Sequence, residues 1–331
     1  MEFYATLGPA CSAPQTLDGL FRAGMTGTRL NLSHVTLADS HPLLEEGFRA
    51  AARRAGREDA HLILDLQGPE LRVGALERPV PLVQGERTLL GGEEGIPIPP
   101  AAWEAVRPGD RIALDDSALL LEGEERSDAG LVCRVLRGGT LRSRKSLAIL
   151  GVQVDAPALT DQDRANLDLA GELGTTHILQ PFVRGRADVE ELRRALDRRG
   201  LTGVKIMAKI ENRRGVERLD EILEAADQIC IARGDLGNAI PLWELPGLQK
   251  RIARRCREAG KPFCLVTQLL WSMEQRPVPT RAEVCDIYNG VLDGAACLML
   301  TGETAAGAYP VQAMEYLVKT ARRAMADLAG G

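Results

Sequence analysis

The sequence lacks the features that mark several broad classes of protein. Its seven cysteines are odd in number and show no C-x-x-C spacing, and its four histidines lie far apart, so neither a disulfide framework nor a zinc site is indicated. No apolar run is long enough to cross a bilayer, and the N-terminus has neither a basic region nor the apolar core of a signal peptide. The net charge of −5 gives no overall basic surface for nucleic acid. We therefore expect a soluble, cytoplasmic protein with no nucleic-acid or membrane partner.

What the sequence does contain is an alternation of short apolar runs with amphipathic stretches. Eight runs have the length and composition of strands, and helical segments separate them. The predicted strands cover residues 3–7, 28–32, 61–66, 177–182, 204–210, 228–232, 263–267 and 296–300. Eight such units favour a (β/α)8 TIM barrel, an α/β fold, while a doubly wound sheet stays open from periodicity alone. No G-x-G-x-x-G follows a strand, so a dinucleotide-binding fold has no support.

The alternation is interrupted after the third strand. From about residue 73 to residue 154 the chain has many short β-like runs punctuated by glycine and proline, such as GGEEGIPIPP, and little helical periodicity. Helical periodicity returns at Thr160, where T-D-Q-D has the pattern of a helix N-cap. We therefore predict a first part of the barrel over residues 1–72, an inserted small all-β domain over 73–157, and the rest of the barrel over 158–331.

Charged side chains follow two neighbouring strands in the stretch KIMAKIENRRGVERLDEILEAADQICIARGDLG, residues 205–237. Lys209 and Glu211 lie at the end of the first strand, and Asp235 follows the second. Active sites of such barrels are built at the C-terminal ends of the strands. Two acids over one pocket suit a hard divalent cation, and a lysine beside them suits an anionic substrate. A solvated lysine and two helix-capping acids are the plainer interpretation of each residue taken singly, but a weaker one for all three together.

Seven motifs resemble, in order, those of the pyruvate kinase family. They are GPAC at 8–11, TRLNLSH at 28–34, LDLQGPELR at 64–72, AKIENRRGV at 208–216, IARGDLG at 231–237, PTRAEVCD at 279–286 and LTGETAAGAYP at 300–310. The resemblance implies the family's barrel, with the inserted domain as a β-barrel lid, and transfer of the phosphoryl group of phosphoenolpyruvate to ADP, which gives pyruvate and ATP. Because the chain ends soon after the eighth barrel helix, we expect the family's C-terminal regulatory domain to be absent and a homodimer to form through the barrel.

The resemblance also implies roles for individual residues around the transferred group. Glu211 and Asp235 match the ligands of a divalent metal, Mg²⁺ or Mn²⁺. Lys209 matches the lysine that stabilises both the phosphoryl group and the enolate, and Arg29 matches a phosphate-binding arginine. Thr267 matches the threonine near the carbon that is protonated. The backbone N–H groups of Gly234 and Asp235 would receive the substrate carboxylate.

Two further sets of residues are implied in the same way. Potassium is indicated by Glu70, and its ligands would be Asn31, Ser33, Asp65 and the backbone of Leu66. The nucleotide would be contacted by His34, Arg72 and Lys145. Together these residues imply phosphoenolpyruvate or pyruvate and ADP or ATP as the small-molecule partners.

Several positions depart from the family pattern, among them Asn238-Ala239 in place of the usual Val-Glu after GDLG, and the nucleotide half of the site matches less well than the enolpyruvate half. Gln67 stands where the family usually has lysine, Asp39 where many members have an aromatic residue, and Ala148 where an asparagine contacts the nucleotide. Two alternatives therefore stay open at this point. One is a diverged paralogue that acts on phosphoenolpyruvate- or pyruvate-type substrates with a different acceptor or bond cleavage. The other is a catalytically silent binding protein.

Overall fold

The computed structural model describes residues 1–33, 35–115, 117–152, 154 and 157–330. The chain divides into two units, one formed by Met1–Gly68 together with the chain from Ala158 onwards, and the other by Pro69–Pro157. The strands are β1 (Glu2–Thr6), β2 (Gly27–Asn31), β3 (His61–Asp65), β4 (Val80–Leu82), β5 (Arg87–Leu90), β6 (Arg111–Leu114), β7 (Leu119–Ser127), β8 (Gly130–Arg137), β9 (Gly139–Leu141), β10 (Leu147–Ile149), β11 (His177–Gln180), β12 (Lys205–Ile210), β13 (Gln228–Ala232), β14 (Phe263–Val266) and β15 (Cys297–Met299).

The α-helices of the described residues range from four to 21 residues in length. They are α1 (Pro14–Ala23), α2 (Ala50–Arg54), α3 (Pro100–Ala105), α4 (Asp161–Ala170), α5 (Arg186–Asp197), α6 (Arg213–Glu217), α7 (Leu219–Ala225), α8 (Arg233–Ala239), α9 (Leu245–Glu258), α10 (Arg281–Leu292), α11 (Gly302–Ala305) and α12 (Pro310–Gly330). In the described ranges, none of these helices is both long and apolar enough to cross a membrane.

The first unit is a closed barrel of eight parallel strands. Around the barrel β1, β2, β3, β11, β12, β13, β14 and β15 follow one another, and β15 pairs with β1 to close it. The barrel interior is filled by apolar side chains, among them Tyr4, Ile63, Met207 and Met299. A larger apolar core lies between the strands and the surrounding helices. The predicted (β/α)8 barrel is therefore confirmed, and the doubly wound sheet is excluded.

Most barrel strands end one or two residues earlier than the sequence predicts. The predicted strands ending at Phe182 and Thr267 stop at Gln180 and Val266. Phe182 and Thr267 have φ angles of 52° and 78°. A left-handed backbone cannot continue a β-ladder, so the apolar run extends beyond the strand. These turns lie at the edge of the barrel where the charged residues were predicted to converge.

The helical segment between β2 and β3 is partly wider than an α-helix. A π-helix covers Leu43–Arg49 and continues into α2. The widened turns pack against α1, where Gly47 lies beside Leu17 and Phe48 stacks on Phe21 with ring centroids 5.8 Å apart.

The predicted helix start at Thr160 is confirmed. Thr160 caps α4 in a capping box with Asp163, in which each side chain accepts a hydrogen bond from the other residue's backbone N–H. The buried Asp163 carboxylate also accepts hydrogen bonds from the backbone N–H groups of Gln67 (2.9 Å) and Gly68 (3.0 Å). One carboxylate thus fixes both the end of the first barrel segment and the start of the second.

The second unit is built on antiparallel sheets around its own apolar core. The five-stranded sheet has the order β10-β6-β7-β8-β5, and β4 pairs with β9. Leu90, Leu114, Leu121 and Val135 are among the side chains of its core. The short helix α3 also belongs to this unit, and the β-like patterning did not reveal it.

Candidate active site

The charged side chains of the candidate site come from strand ends that are far apart in sequence. Lys209 is the fifth of the six residues of β12, and Glu211 directly follows that strand. Asp65 is the last residue of β3 and lies opposite Asn31 of β2 in the parallel register. Arg29 lies two residues earlier in β2. Because parallel strands of a barrel all end at the same rim, these four charged groups reach one place.

Lys209 lies between two carboxylates. Its Nζ is 3.2 Å from Glu211 Oε2 and 3.7 Å from Asp65 Oδ1, and its side chain is only 13% exposed. Alternation along an extended chain puts residues 209 and 211 on the same face, which explains their contact. The solvated lysine of the plainer interpretation is therefore excluded.

Arg29 and Asp65 form a second buried ion pair beside Lys209. Arg29 Nε and Nη2 lie 2.7 and 2.5 Å from the same oxygen, Asp65 Oδ2. Arg29 Nη1 donates to the hydroxyl of Thr6 (3.2 Å), which in turn donates to the carbonyl of Leu300 (2.8 Å). The guanidinium is thus oriented by both a carboxylate and a hydroxyl, so its plane is fixed in the structure.

One carboxylate oxygen of Glu211 accepts a hydrogen bond from the backbone, and the other oxygen has none within the described part of the chain. Its Oε1 accepts a 2.7 Å hydrogen bond from the backbone N–H of Phe182. Its buried Oε2 and the buried Oδ1 of Asp65 have no hydrogen-bond partner among the described residues, although the Lys209 ammonium is near both. Burial raises the pKa of Glu211, against the opposing attraction of Lys209. A buried oxygen of this kind is a ready ligand for a cation.

The charge of Lys209 is stabilised by the carboxylates around it. Burial disfavours the ammonium form, but the negative charges of Asp65, Glu211 and Asp235 outweigh that cost and raise the pKa of Lys209. Lys209 therefore stays protonated at neutral pH and acts as a fixed positive charge rather than as a base. The negative charge of Asp235 contributes to the raised pKa of both Lys209 and Glu211.

The two acids predicted to bind a divalent cation are compatible with one. Both offer carboxylate oxygens, the donors that Mg²⁺ and Mn²⁺ prefer, and Mg²⁺ is commonly held by one or two carboxylates together with substrate and water. Within the described ranges, no three His, Cys, Asp or Glu side chains are grouped as a metal site. The protein would thus supply two of the ligands, with the others coming from substrate or water.

Most of the remaining predicted residues of the first unit lie at strand ends or in the turns that follow them. Asn31 is the last residue of β2, and Ser33 lies just after it and donates its backbone N–H to Asn31 Oδ1 (3.2 Å). Leu66 follows Asp65, and Gly234 and Asp235 lie in the first turn of α8. His34 lies outside the described residues.

The other two predicted nucleotide residues belong to the second unit, where each has a partner. Arg72 pairs with Glu70 (Nε–Oε2 2.8 Å) and donates to the carbonyl of Arg144. Lys145 pairs with Asp115 at 2.7 Å.

Sequence reasoning missed several residues that shape this site. Thr6 and Phe182 are ordinary strand residues by pattern, and nothing in their local sequence signals that they contact Arg29 and Glu211. Arg233 directly follows β13, and its side chain turns to the backbone of Thr267, a contact that its local sequence does not signal. Asn212, the polar residue after Glu211, accepts from the N–H of Gly215 and caps α6, which is a structural role.

The chain matches a family model described as the barrel domain of pyruvate kinase over residues 2–314. The chain belongs to the pyruvate kinase family. It is 39% identical to a pyruvate kinase of Geobacillus stearothermophilus over 97% of this chain and 56% of the relative. It is 39% identical to one of Aeropyrum pernix over 99% of this chain and 72% of the relative. A human pyruvate kinase is 40% identical over 97% of this chain and 59% of its own length.

Membership of the pyruvate kinase family agrees with the barrel and with the buried charges at its rim. The chain spans between about half and three quarters of the length of the three relatives, so what the whole relatives do is carried to this protein only as a proposal.

Proposed function

We propose that this protein transfers the phosphoryl group of phosphoenolpyruvate to ADP, giving pyruvate and ATP. The observation that supports this most strongly is the buried cluster of Lys209, Arg29, Asp65 and Glu211 at the barrel rim of a pyruvate kinase family member. Phosphoryl transfer needs little covalent help from a protein, and depends on positioning and on positive charge around the moving group. Two fixed cations beside a carboxylate pair provide that arrangement.

Glu211 and Asp235 are the residues that would hold a divalent cation. When bound, the ion would supply Lewis-acid stabilisation of negative charge, which is worth several kcal/mol. The Phe182 N–H orients the Glu211 carboxylate through Oε1 and leaves Oε2 for the ion. Fixing one oxygen in advance lowers the entropic cost of binding.

Lys209 and Arg29 would stabilise the transferring group. Lys209 keeps its charge because the negative charges of Asp65, Glu211 and Asp235 raise its pKa. Arg29 is already oriented by Asp65 and Thr6. As the phosphoryl group leaves, an enolate forms, and its C=C electron pair then takes a proton at the terminal carbon to give the methyl group of pyruvate. Thr267 at the end of β14 is the proposed source or relay of that proton.

Potassium and the nucleotide belong to the same proposal. Asn31, Ser33, Asp65 and the backbone of Leu66 are the proposed K⁺ ligands, and the proximity of Asn31 to both Ser33 and Asp65 supports this set.

Arg72 and Lys145 are proposed to contact the nucleotide. Both carry positive charge, which suits the phosphates of ADP, and both would have to exchange a present acidic partner for them.

The reaction can be tested directly by phosphorus NMR. The protein is mixed with phosphoenolpyruvate, Mg²⁺ and K⁺, with and without ADP. The phosphoenolpyruvate signal should disappear and the ATP signals should grow only when ADP is present, and replacing K⁺ by a bulky organic cation should slow the change. Consumption of phosphoenolpyruvate without ATP, or no consumption under any condition, would contradict the proposed function.

We also infer that the barrel forms a homodimer. Leu242 and Trp243 lie next to each other after α8 and are 68% and 83% exposed in the single chain. Neighbouring large apolar residues at this exposure are typical of an interaction surface. Light scattering should give a dimer mass for the wild type and a monomer mass for Trp243→Glu. Val83→Glu, which charges an exposed valine of the second unit, is the matched control and should stay dimeric. A monomeric wild type at tens of micromolar would refute the dimer.

A further inference from the structure

Thr267 has a backbone conformation that a threonine rarely adopts. Its φ angle is 78°, and the next residue, Gln268, also has a positive φ of 56°. For a β-branched residue this region is a genuine outlier, and such strain costs about 1–3 kcal/mol and persists only where neighbouring groups impose it. The structure should therefore contain contacts that hold Thr267 in place.

The side chain of Arg233 makes those contacts. Its Nε and Nη2 donate to the carbonyl oxygen of Thr267 at 3.2 and 2.6 Å. Its Nη1 donates to Asp286 Oδ2 on α10 at 2.6 Å, with Gln249 Oε1 at 3.5 Å. The Arg233 side chain is 12% exposed, so water competes little for these hydrogen bonds. Only a planar guanidinium can direct two donors at one carbonyl and a third at a carboxylate, and a lysine cannot replace it.

The residue after Arg233, Gly234, faces the side chain of Thr267 closely enough that an added side chain would touch it. A Cβ added to Gly234 would lie 3.2 Å from Thr267 Cγ2 and 3.8 Å from Thr267 Oγ1. The junction of β13 and α8 therefore holds the carbonyl of Thr267 through Arg233 and leaves little space beside its methyl group at Gly234. Asp235, the proposed metal ligand, lies on this same junction, so the position of the Thr267 hydroxyl is tied to that of the metal site.

We propose that Arg233, supported by Asp286, is a positioning residue that keeps Thr267 in its left-handed conformation and so places the Thr267 hydroxyl for protonation of the enolate. The inference rests on the proposed function, since it concerns the proton transfer of that reaction. Arg233 acts through the Thr267 backbone and does not itself contact the reacting atoms. A purely structural role would instead lower stability and affect all steps alike.

Arg233→Lys tests the proposal because it keeps the positive charge and loses the two-donor contact. Proton transfer is followed by NMR as exchange of the methyl protons of pyruvate with deuterium from solvent. We expect this rate to fall by about 10–100-fold, the loss that a displacement of about 1 Å can cause, while KM for phosphoenolpyruvate stays within about threefold. Arg255→Lys, which changes an exposed arginine on α9 that pairs with Asp220 and Glu258, is the matched control and should leave both unchanged.

Combining the Arg233 variant with Thr267→Ala distinguishes a positioning role of Arg233 from a purely structural one. Against a Thr267→Ala background, Arg233→Lys should reduce exchange by less than about threefold, because the hydroxyl it positions is already gone. An undiminished 10–100-fold effect in that background would overturn the proposal. If Arg233→Lys does not fold, Asp286→Asn replaces it as the test, because it retains Arg233 and an acceptor oxygen. Asp286→Asn should slow methyl-proton exchange less than Arg233→Lys would, and it should have no effect on exchange when Thr267 is already alanine.

Crystal structures of the wild type and the Arg233→Lys variant give a test that does not depend on activity. The φ angle of Thr267 should become negative in the variant. A φ that stays near 78° would overturn the proposal, and so would a relaxed φ with undiminished exchange. If the wild type neither transfers phosphate nor exchanges the methyl protons, the proposed function has failed, and the φ comparison still decides whether Arg233 holds Thr267.

Discussion

Replacing Lys209 with methionine should abolish phosphoryl transfer. Methionine keeps most of the length of the stem and removes the ammonium, which lies 3.2 Å from Glu211 Oε2 and 3.7 Å from Asp65 Oδ1. The Lys209 side chain is largely buried, so solvent has little room to supply a substitute charge. The perturbation is therefore confined to a single positive charge at the barrel rim.

The expected size of the loss follows from that burial. Two unit charges 3.2 Å apart at an effective dielectric constant of about 20 interact by about 5 kcal/mol, which sets a ceiling on the effect of one fixed charge. Removing one preorganised group that stabilises developing charge typically costs about 10²–10³ in rate, or about 3–4 kcal/mol. We expect at least that loss, because Lys209 is proposed to contact the transferring group itself.

Binding of the divalent ion should change little in the Lys209→Met variant. Loss of the ammonium removes repulsion of the ion, which favours binding. It also removes the attraction of Lys209 that lowers the pKa of Glu211, so a larger fraction of the Glu211 carboxyl is protonated at neutral pH. The two effects oppose each other, and we expect Mn²⁺ affinity within about threefold of the wild type.

Three measurements on one preparation test this prediction. They are the rate of ATP formation from phosphoenolpyruvate and ADP, Mn²⁺ binding by calorimetry, and tritium exchange from the methyl group of pyruvate, which should be less affected because Thr267 and water remain. Lys205→Met, at the exposed opposite end of β12, is the matched control and should leave ATP formation unchanged. Transfer by Lys209→Met at close to the wild-type rate would show that the site is wrongly assigned.

Three further predictions follow from the site, from the buried histidine and from a close backbone contact. Glu211→Gln should weaken Mn²⁺ binding at least tenfold by calorimetry, and equal affinity would remove Glu211 from the metal site. Burial lowers the pKa of His177 to about 4, below its unfolded value of about 6.5, so protons bind the unfolded chain preferentially between those values. The free energy of unfolding should therefore fall by about 3 kcal/mol from pH 6.5 to 4 through this group. In His177→Gln, the free energy of unfolding measured by urea denaturation should depend less on pH across that range. The same pH dependence in the variant and the wild type would refute the assignment. Gly8→Ala should cost about 1–3 kcal/mol of stability, because its Cβ would lie 2.4 Å from the Ala305 carbonyl oxygen, whereas Gly203→Ala, with open space around it, should change the melting temperature little.

The local sequence was sufficient to locate the eight barrel strands, to favour a barrel, and to predict which side chains at the end of β12 share one face. A strand is short, apolar and bounded by polar residues, and these are properties of consecutive residues that no distant contact is needed to reveal. For that reason the β13 bounds were predicted as observed, and the N-cap at Thr160 was recognised from the threonine and the acids after it. The contact between Lys209 and Glu211 could be predicted too, since a spacing of two on an extended chain puts both side chains on one face.

Contacts between distant segments depended on the closed barrel. Arg29 and Asp65 are separated by 36 residues, and nothing in either local sequence signals that they form a pair. Phe182 and Thr267 belong to apolar runs that look like strand, yet both adopt left-handed conformations, and their backbones are hydrogen-bonded by Glu211 and Arg233 from neighbouring strands. Periodicity reports the average environment of a strand, whereas the precise end of a strand and the orientation of its last side chains are decided by the neighbours that barrel closure brings to the rim.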